Sequence, residues 1–322
     1  MQPTKIWLAG AVLALTAALA LYGAPRPAQN PPSQEPLAQG GVIRSQVRLV
    51  NIFATVRGNN KNIVTGLKQE DFRVFEDGKE EKIAFFSQEV ALPITLGMLI
   101  DTSGSEQNRL MAEQEAAGRF LNRVLRKGDL AMVFSFDSDV DMLSDFTDDR
   151  AQLESAIRRA RVNVPSGMGP IAGDVRSTAF YDAVYLASSE KLAGEAGRKA
   201  LVIITDADDQ GSKVRLEEAI EAAQRNDTVV HILLVHDSGY GFRPDVAHKL
   251  TEETGGRSIE VSSEKRIEEA FDQISEELRT QYTLGYYPTN ASKDGKYRKI
   301  KVEMADKSNK VLTRKGYYPP RN

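Results

Sequence analysis

Apolar positions recur along this chain with two different periods, and the change between them divides it into parts. From Val42 to about Val90 the period is two. Val47, Leu49, Asn51, Phe53 and Thr55 interleave with Arg48, Val50, Ile52, Ala54 and Val56, a run that reads as extended and well buried. Gly58-Asn59-Asn60-Lys61-Asn62 reads as a turn. Residues 72–75, Asp77-Gly78 and residues 82–86 then read as strand, turn and strand, since Asp-Gly between apolar alternations is a strong hairpin signal.

Between about 91 and 279 short apolar runs alternate with segments of helical period. Strands are expected at 93–100, 130–136, 200–205 and 228–235, and helices at 106–126, 150–161, 180–192, 214–225 and 266–278. Buried strands alternating with amphipathic helices predict a doubly wound, mostly parallel α/β sheet of Rossmann-like kind. After residue 280 the strand pattern returns at 282–287, 297–304 and 311–317, with turn signals at 288–295 and 306–309. The expected organisation is an α/β domain (91–279) inserted into a small all-β sandwich made from both flanks (41–90 and 280–322). Insertion is physically permissible because the ends of a domain commonly lie close together.

The first forty residues change the picture of where the chain works. Lys5 precedes an apolar run from Ile6 to Tyr22, followed by small residues, which is the plan of a secretory signal. Residues 1–24 are therefore expected to be a signal peptide, cleaved after Ala20 or Ala24; an uncleaved membrane anchor is the alternative. Residues 25–40, rich in Pro, Gln and Ala, read as a flexible linker. Either way the folded part is expected outside the cytoplasm, as a periplasmic, cell-surface or secreted bacterial protein. The chain has no cysteine, which excludes disulfides, thiolate-bound zinc and a thiol nucleophile. Of 322 residues, 41% are hydrophobic and 27% charged, and the net charge is −3 with basic residues scattered among acidic ones. Nothing in that balance favours nucleic acid.

Three predicted strand-to-helix or loop-to-helix junctions carry only oxygen donors. Asp101-Thr102-Ser103-Gly104-Ser105 follows the first central strand, Ser177-Thr178 precedes the helix at 180, and Thr205-Asp206-Ala207-Asp208-Asp209 follows the strand 200–205. Ligands of open α/β sheets bind outside the carboxyl ends of the strands. Hard oxygen donors gathered there suggest a magnesium-type site. Asp101 ends the strand, and alternate residues of the following turn can point Ser103 and Ser105 at one centre, with Gly104 letting the backbone pass close. Neutral hydroxyls leave such an ion electrophilic, so that an incoming Glu or Asp can replace a bound water.

Asp101-Thr102-Ser103-Gly104-Ser105 resembles the Asp-x-Ser-x-Ser signature of von Willebrand factor A domains, the inserted domains of integrins among them. Ser177-Thr178-Ala179-Phe180-Tyr181-Asp182-Ala183 is similar to the second loop of that family, with Thr178 as its threonine. Ile204-Thr205-Asp206 is similar to the third, with Asp206 as its aspartate. The resemblance covers about residues 91–279. It implies a metal-ion-dependent adhesion site in which Asp101, Ser103, Ser105 and Thr178 surround Mg²⁺ (or Mn²⁺ or Ca²⁺) and Asp206 ligates directly or through water. It further implies a protein partner that presents an exposed Asp or Glu. Ala207 stands where the family usually has Gly, and Arg176-Ser177 where it usually has Gly-Gly. The flanks, with Gly66-Leu67, Asp71-Phe72, Glu76-Asp77-Gly78, Leu284-Gly285-Tyr286-Tyr287-Pro288 and Arg314-Lys315-Gly316-Tyr317-Tyr318, resemble a bacterial exported group carrying this domain.

The functional expectation is thus a non-enzymatic, metal-dependent binding module for adhesion or assembly. A metal-dependent phosphoester or ester hydrolase using the same loops is the rival, and a metal that merely staples the loops is a third reading. Ser103 stands where an Asp-x-Asp phosphatase would carry its second carboxylate. His231, His236 and His248 have no Gly-x-Ser-x-Gly elbow to serve. Asp137, Asp139 and Asp141 lack the Gly and distal Glu of an EF-hand and read as an exposed hairpin, while Asp208 and Asp209 read as rim charges. Tyr286-Tyr287 and Tyr317-Tyr318 read as strand partners rather than a stacking platform.

Overall fold

A computed structural model describes residues 49–60, 62–88, 92–162, 178–235 and 241–321. The signal peptide, the linker, Arg176, Ser177 and His236 lie outside these described residues. Four strands precede the central domain: β1 (Val50–Arg57), β2 (Phe72–Glu76), β3 (Lys79–Glu81) and β4 (Ile83–Ser87). Asp77 (φ 48°) and Gly78 (φ 85°) form the predicted turn, the two positive φ values a tight hairpin needs. That hairpin joins β2 to β3, however, and not to 82–86. The chain crosses at Lys82, and β4 pairs in the opposite sheet. Alternation runs unbroken through the corner, so periodicity could not tell which sheet each half joins.

The central domain follows as β5 (Ile94–Asp101), α1 (Leu110–Val124), β6 (Leu130–Phe136), β7 (Val140–Thr147), α2 (Arg150–Ile157), α3 (Phe180–Leu186), β8 (Arg198–Thr205), α4 (Leu216–Arg225), β9 (Thr228–Val235), α5 (Pro244–Thr254), β10 (Ser258–Val261) and α6 (Glu264–Arg279). The sheet order is β10-β9-β8-β5-β6-β7, parallel except for the antiparallel edge strand β7. Helix α5 and strand β10 escaped the sequence reading, although Pro244 at the first helical turn and Gly255 (φ 86°) after the last are ordinary start and stop signals. Residues 187–191 continue α3 as a π-helical turn.

Alternate side chains of each strand serve opposite faces. Leu96, Met98, Ile100, Val202 and Ile204 pack under α1, α2 and α6, where Phe120 and Phe271 stack with centroids 4.7 Å apart. Leu99, Leu201 and Ile203 pack under α3, α4 and α5. Both faces are therefore covered, which is why β5, β8 and β9 are buried at every residue and are mostly apolar rather than alternating. At Gly256 an added Cβ would overlap the Val230 carbonyl. Gly256→Ala is accordingly expected to cost about 3 kcal/mol by overpacking a backbone contact, read as a lower urea midpoint at unchanged slope.

The chain returns as β11 (Tyr282–Tyr286), β12 (Arg298–Met304), β13 (Lys310–Leu312) and β14 (Gly316–Tyr317). Strand β1 pairs antiparallel with β11, placing Ile52 opposite Leu284, and β2 pairs with β12, placing Val74 opposite Val302. Two four-stranded sheets result, β13-β1-β11-β4 and β14-β12-β2-β3, each drawn from both ends of the chain. Residues 311–317 are not one strand. Arg314 divides them, and its guanidinium binds Asp227 and the Asn51 carbonyl. Tyr286 and Tyr317 are buried and donate hydroxyls to Glu76 at 2.7 and 3.0 Å. Tyr287 is exposed, and Tyr318 lies under the Arg225 guanidinium.

Candidate metal centre

The chain runs from β5 to β6 and β7 on one side of the sheet, then returns to build β8, β9 and β10 on the other. The switch in strand order falls between the neighbours β5 and β8. Their carboxyl ends carry Asp101 and Thr205-Asp206, so the crevice in which a doubly wound sheet is expected to bind ligands falls between these residues.

Asp101 is fully buried and held at both oxygens. Oδ1 accepts the Ser103 N–H at 2.9 Å, and Oδ2 accepts the Thr205 hydroxyl at 2.6 Å. Thr205 in turn accepts the Ala207 N–H, so a single threonine ties the first loop to the third. The Ser103 and Ser105 hydroxyls lie 2.9 Å apart on the more exposed side. Asp206 Oδ1 accepts the Asp208 N–H, and the Asp206 carbonyl accepts the Arg243 N–H. Ala207, fully buried, sits at φ 63°. This left-handed conformation is where an alanine in place of glycine meets resistance, and the strain is stored beside the site.

Thr178 is buried just ahead of α3, and its carbonyl accepts the Gln210 N–H of the third loop. Asp209 accepts the Tyr181 N–H, and Asp182 accepts the N–H groups of Lys213 and Val214. Second and third loops are thereby stitched together. Asp209, expected as a rim charge, is a loop anchor. Asp137 is buried rather than exposed on the hairpin: its Oδ1 accepts the Asp139 N–H and the Ser138 hydroxyl, while its carbonyl accepts the Ala179 N–H. His248 bonds Ser258, and His231 lies between β9 and Glu277 of α6, so neither belongs to this crevice.

Two further acidic residues lie here that nothing in the sequence pattern marks. Helix α1 starts at Leu110, not at 106, and a 3-10 turn over Gly104–Glu106 precedes it. That turn leaves Glu106 only 2% exposed, and oxygens of Asp101, Glu106 and Asp206 all lie within 4.8 Å of one another. Glu113, also fully buried, meets no hydrogen-bond donor at either oxygen among the described residues. Burial is the main force raising the pKa of all four carboxyls; repulsion from the others adds to it at Asp101, Glu106 and Glu113, and repulsion from Asp208 adds to it at Asp206. Asp101 and Glu113 are each pushed up to about 7, Glu106 goes higher still, and Asp206 is raised less because Asp208 and Ser105 donate to it. Four carboxylates cannot all stay ionised in such a place without a cation; otherwise some of them must take up protons. The donor set is all oxygen, hard and negatively charged, and therefore fits a divalent ion of the magnesium or calcium type.

Residues 96–209, which run from β5 through all three loops, match the von Willebrand factor type A domain family. The chain contains a von Willebrand factor type A domain. Among solved structures, a von Willebrand factor type A protein from Catenulispora acidiphila is similar at 15% identity and TM-score 0.48, over 70% of this chain and 49% of that one. The conserved hypothetical protein BatB from Bacteroides thetaiotaomicron is similar at 18% identity and TM-score 0.45, over 57% of this chain and 97% of that one. Proximal thread matrix protein 1 from the mussel byssus, solved with a zinc-occupied MIDAS motif, is similar at 14% identity and TM-score 0.48, over 63% and 49%. The chain spans about half the length of the Catenulispora and mussel chains. No curated protein matches it. Outside the von Willebrand factor type A domain, the two flanks supply the sandwich strands, and no described helix is long and apolar enough to cross a membrane.

Proposed function

We propose that this protein is an exported, metal-dependent protein-binding module, used in adhesion or assembly at the cell envelope. Asp101, Ser103, Ser105, Thr178 and Asp206 would hold a divalent cation, Mg²⁺ or alternatively Mn²⁺ or Ca²⁺. The ion would supply a Lewis-acidic contact for an Asp or Glu on a protein partner. The observation that carries this reading is the convergence of Asp101 and Asp206, from two separate strand ends, beneath the paired hydroxyls of Ser103 and Ser105. Carboxylates lie on the buried side and neutral donors on the open side, so an approaching acidic side chain meets hydroxyls rather than a wall of like charge.

The Thr205 and Ser103 contacts to Asp101 act as outer supports. They fix the orientation of the carboxylate while each oxygen keeps a lone pair for the ion. The test is retention of the protein on immobilised acidic peptides in Mg²⁺ or Ca²⁺ against EDTA, with Asp101→Ala beside the wild type. Retention is expected to require metal and to vanish in the variant. Binding that persists in EDTA and survives Asp101→Ala would overturn the reading.

A further inference from the structure

We propose that Glu106 is an additional ligand of the cation held between Asp101 and Asp206, and that this third carboxylate makes the site prefer calcium to magnesium. The inference rests on the metal-site reading above and extends it to a residue outside the Asp-x-Ser-x-Ser pattern.

Ligand oxygens bound at about 2.0–2.6 Å from one ion can lie no farther apart than roughly 4–5 Å. Oxygens of Asp101, Glu106 and Asp206 all fall within 4.8 Å of one another. Glu106 reaches that position because Gly104–Glu106 winds as a 3-10 turn, closed by the Glu106 N–H to the Ser103 carbonyl at 3.0 Å. A helix starting directly at Ser105 would have placed this glutamate in an ordinary first turn, where acidic residues commonly face solvent and the helix dipole.

A second observation points the same way. Glu113, just inside α1, is fully buried, and neither of its oxygens meets a donor among the described residues. Its carboxyl lies beside that of Glu106 and is felt electrostatically by Asp101 and Asp206. A buried carboxyl set against another is costly even with the Arg109 charge acting on it, and one placed behind three others is costlier unless positive charge lies at their centre. Glu113 is therefore the inner wall of the cation site, close enough to add field without being one of the three clustered carboxylates.

The choice of metal follows from number and charge. Asp101, Glu106 and Asp206 with the hydroxyls of Ser103 and Ser105 already make five oxygen donors, three of them anionic, and Thr178 is a sixth. Magnesium demands near-octahedral geometry, keeps several waters and is usually held by one or two carboxylates. Calcium accepts six to eight oxygens in looser geometry and takes carboxylates through one or both oxygens. A crowded, carboxylate-rich inner side thus suits the larger ion.

The experiment is isothermal titration of the full chain with CaCl₂ and with MgCl₂, for the wild type, Glu106→Gln and Glu106→Asp. The wild type is expected to bind Ca²⁺ at least tenfold more tightly than Mg²⁺. Glu106→Gln should weaken Ca²⁺ at least tenfold and Mg²⁺ much less, so that the preference collapses. Glu106→Asp keeps the charge on a shorter arm and serves the same purpose if the glutamine variant does not fold; it too should weaken Ca²⁺. Wild-type affinity for both ions in the folded variants, or equal weakening of both, would overturn the role given to Glu106 and leave the metal-site reading standing. A wild type that prefers Mg²⁺ would overturn the calcium preference. A wild type that binds neither ion would overturn the metal-site reading itself, and this inference with it.

Discussion

Chelating divalent metal is expected to lower the melting temperature of this protein by roughly 5–10 °C. A ligand present at about a hundred times its dissociation constant stabilises the native state by about 2.7 kcal/mol. In a chain of this size each kcal/mol moves the midpoint by about 2–4 °C. The physical source of the effect is the buried cluster of Asp101, Glu106, Glu113 and Asp206, whose like charges a cation would offset. Asp101→Asn should erase the difference between melts in EDTA and in metal. In EDTA the variant should melt within a few degrees of the wild type, because one buried charge leaves along with the ligand, while the Ser103 N–H can still donate to the amide oxygen. Scanning calorimetry in buffers with and without metal reads both outcomes. If the wild type melts identically in EDTA and in saturating Ca²⁺ or Mg²⁺, the cluster does not bind these ions. If melting responds to metal but acidic-peptide binding does not, the ion staples the loops and does not bridge to a partner.

Acid is expected to destabilise the protein through His231. This residue on β9 is 1% exposed, and neither ring nitrogen has a hydrogen-bond partner among the described residues. Burial depresses its pKa to about 4; the neighbouring Glu277 opposes that shift, and the Arg257 guanidinium adds to it. Glu277 is already engaged by Arg57 and Arg257, so little of its charge is left to favour a protonated imidazole. In the unfolded chain the same histidine takes its proton near pH 6.5. The unfolded state therefore binds more protons than the native state between about pH 6.5 and 4. Stability is fully present above 6.5 and is lost as pH falls towards 4, by about 3 kcal/mol at about 1.4 kcal/mol per pH unit. Urea melts of wild type and His231→Gln at pH 7.5 and 4.5 test this. The variant should lose appreciably less stability than the wild type between the two pH values. An equal loss in both would assign the acid sensitivity to other groups.

The two departures of this chain from the family's usual loops bear on the site differently. Ala207 adopts the left-handed conformation that glycine would take freely, so the third loop keeps its course at a local cost. Its N–H to Thr205 and the Asp208 N–H to Asp206 hold it there. Arg176-Ser177 lies outside the described residues. Thr178, the next residue, is nonetheless buried and bonded through its carbonyl to the third loop.

Much of the architecture was legible because burial on two faces writes itself into composition. Residues 94–100, 200–205 and 228–235 are apolar or uncharged throughout, and helices lie between them with one apolar side. Helix α5 was harder to see, since His248, Lys249 and Glu252 interrupt a short apolar stripe of Val246, Ala247 and Leu250. The switch of β4 into the other sheet and the break at Arg314 left no periodic trace. Alternation reports that a strand has an inner face, not which neighbour it will find.

What the sequence determined by itself was the kind of chemistry: oxygen donors only, no thiol, and three loops placed after or before predicted elements. Strand ends and turns are local, so the three oxygen-bearing loops could be located from position, while the resemblance to von Willebrand factor A domains was needed to single out Thr178 and Asp206 within them. Tertiary structure decided the charge of the site. Glu106 and Glu113 look like surface residues of a helix until the 3-10 turn and the packing of α1 bury them against Asp101 and Asp206. Thr205 looks like one more strand residue until it donates to Asp101 across the strand boundary. Burial and close approach between residues a hundred positions apart are properties of the folded chain, and they set the electrostatics that an ion would meet.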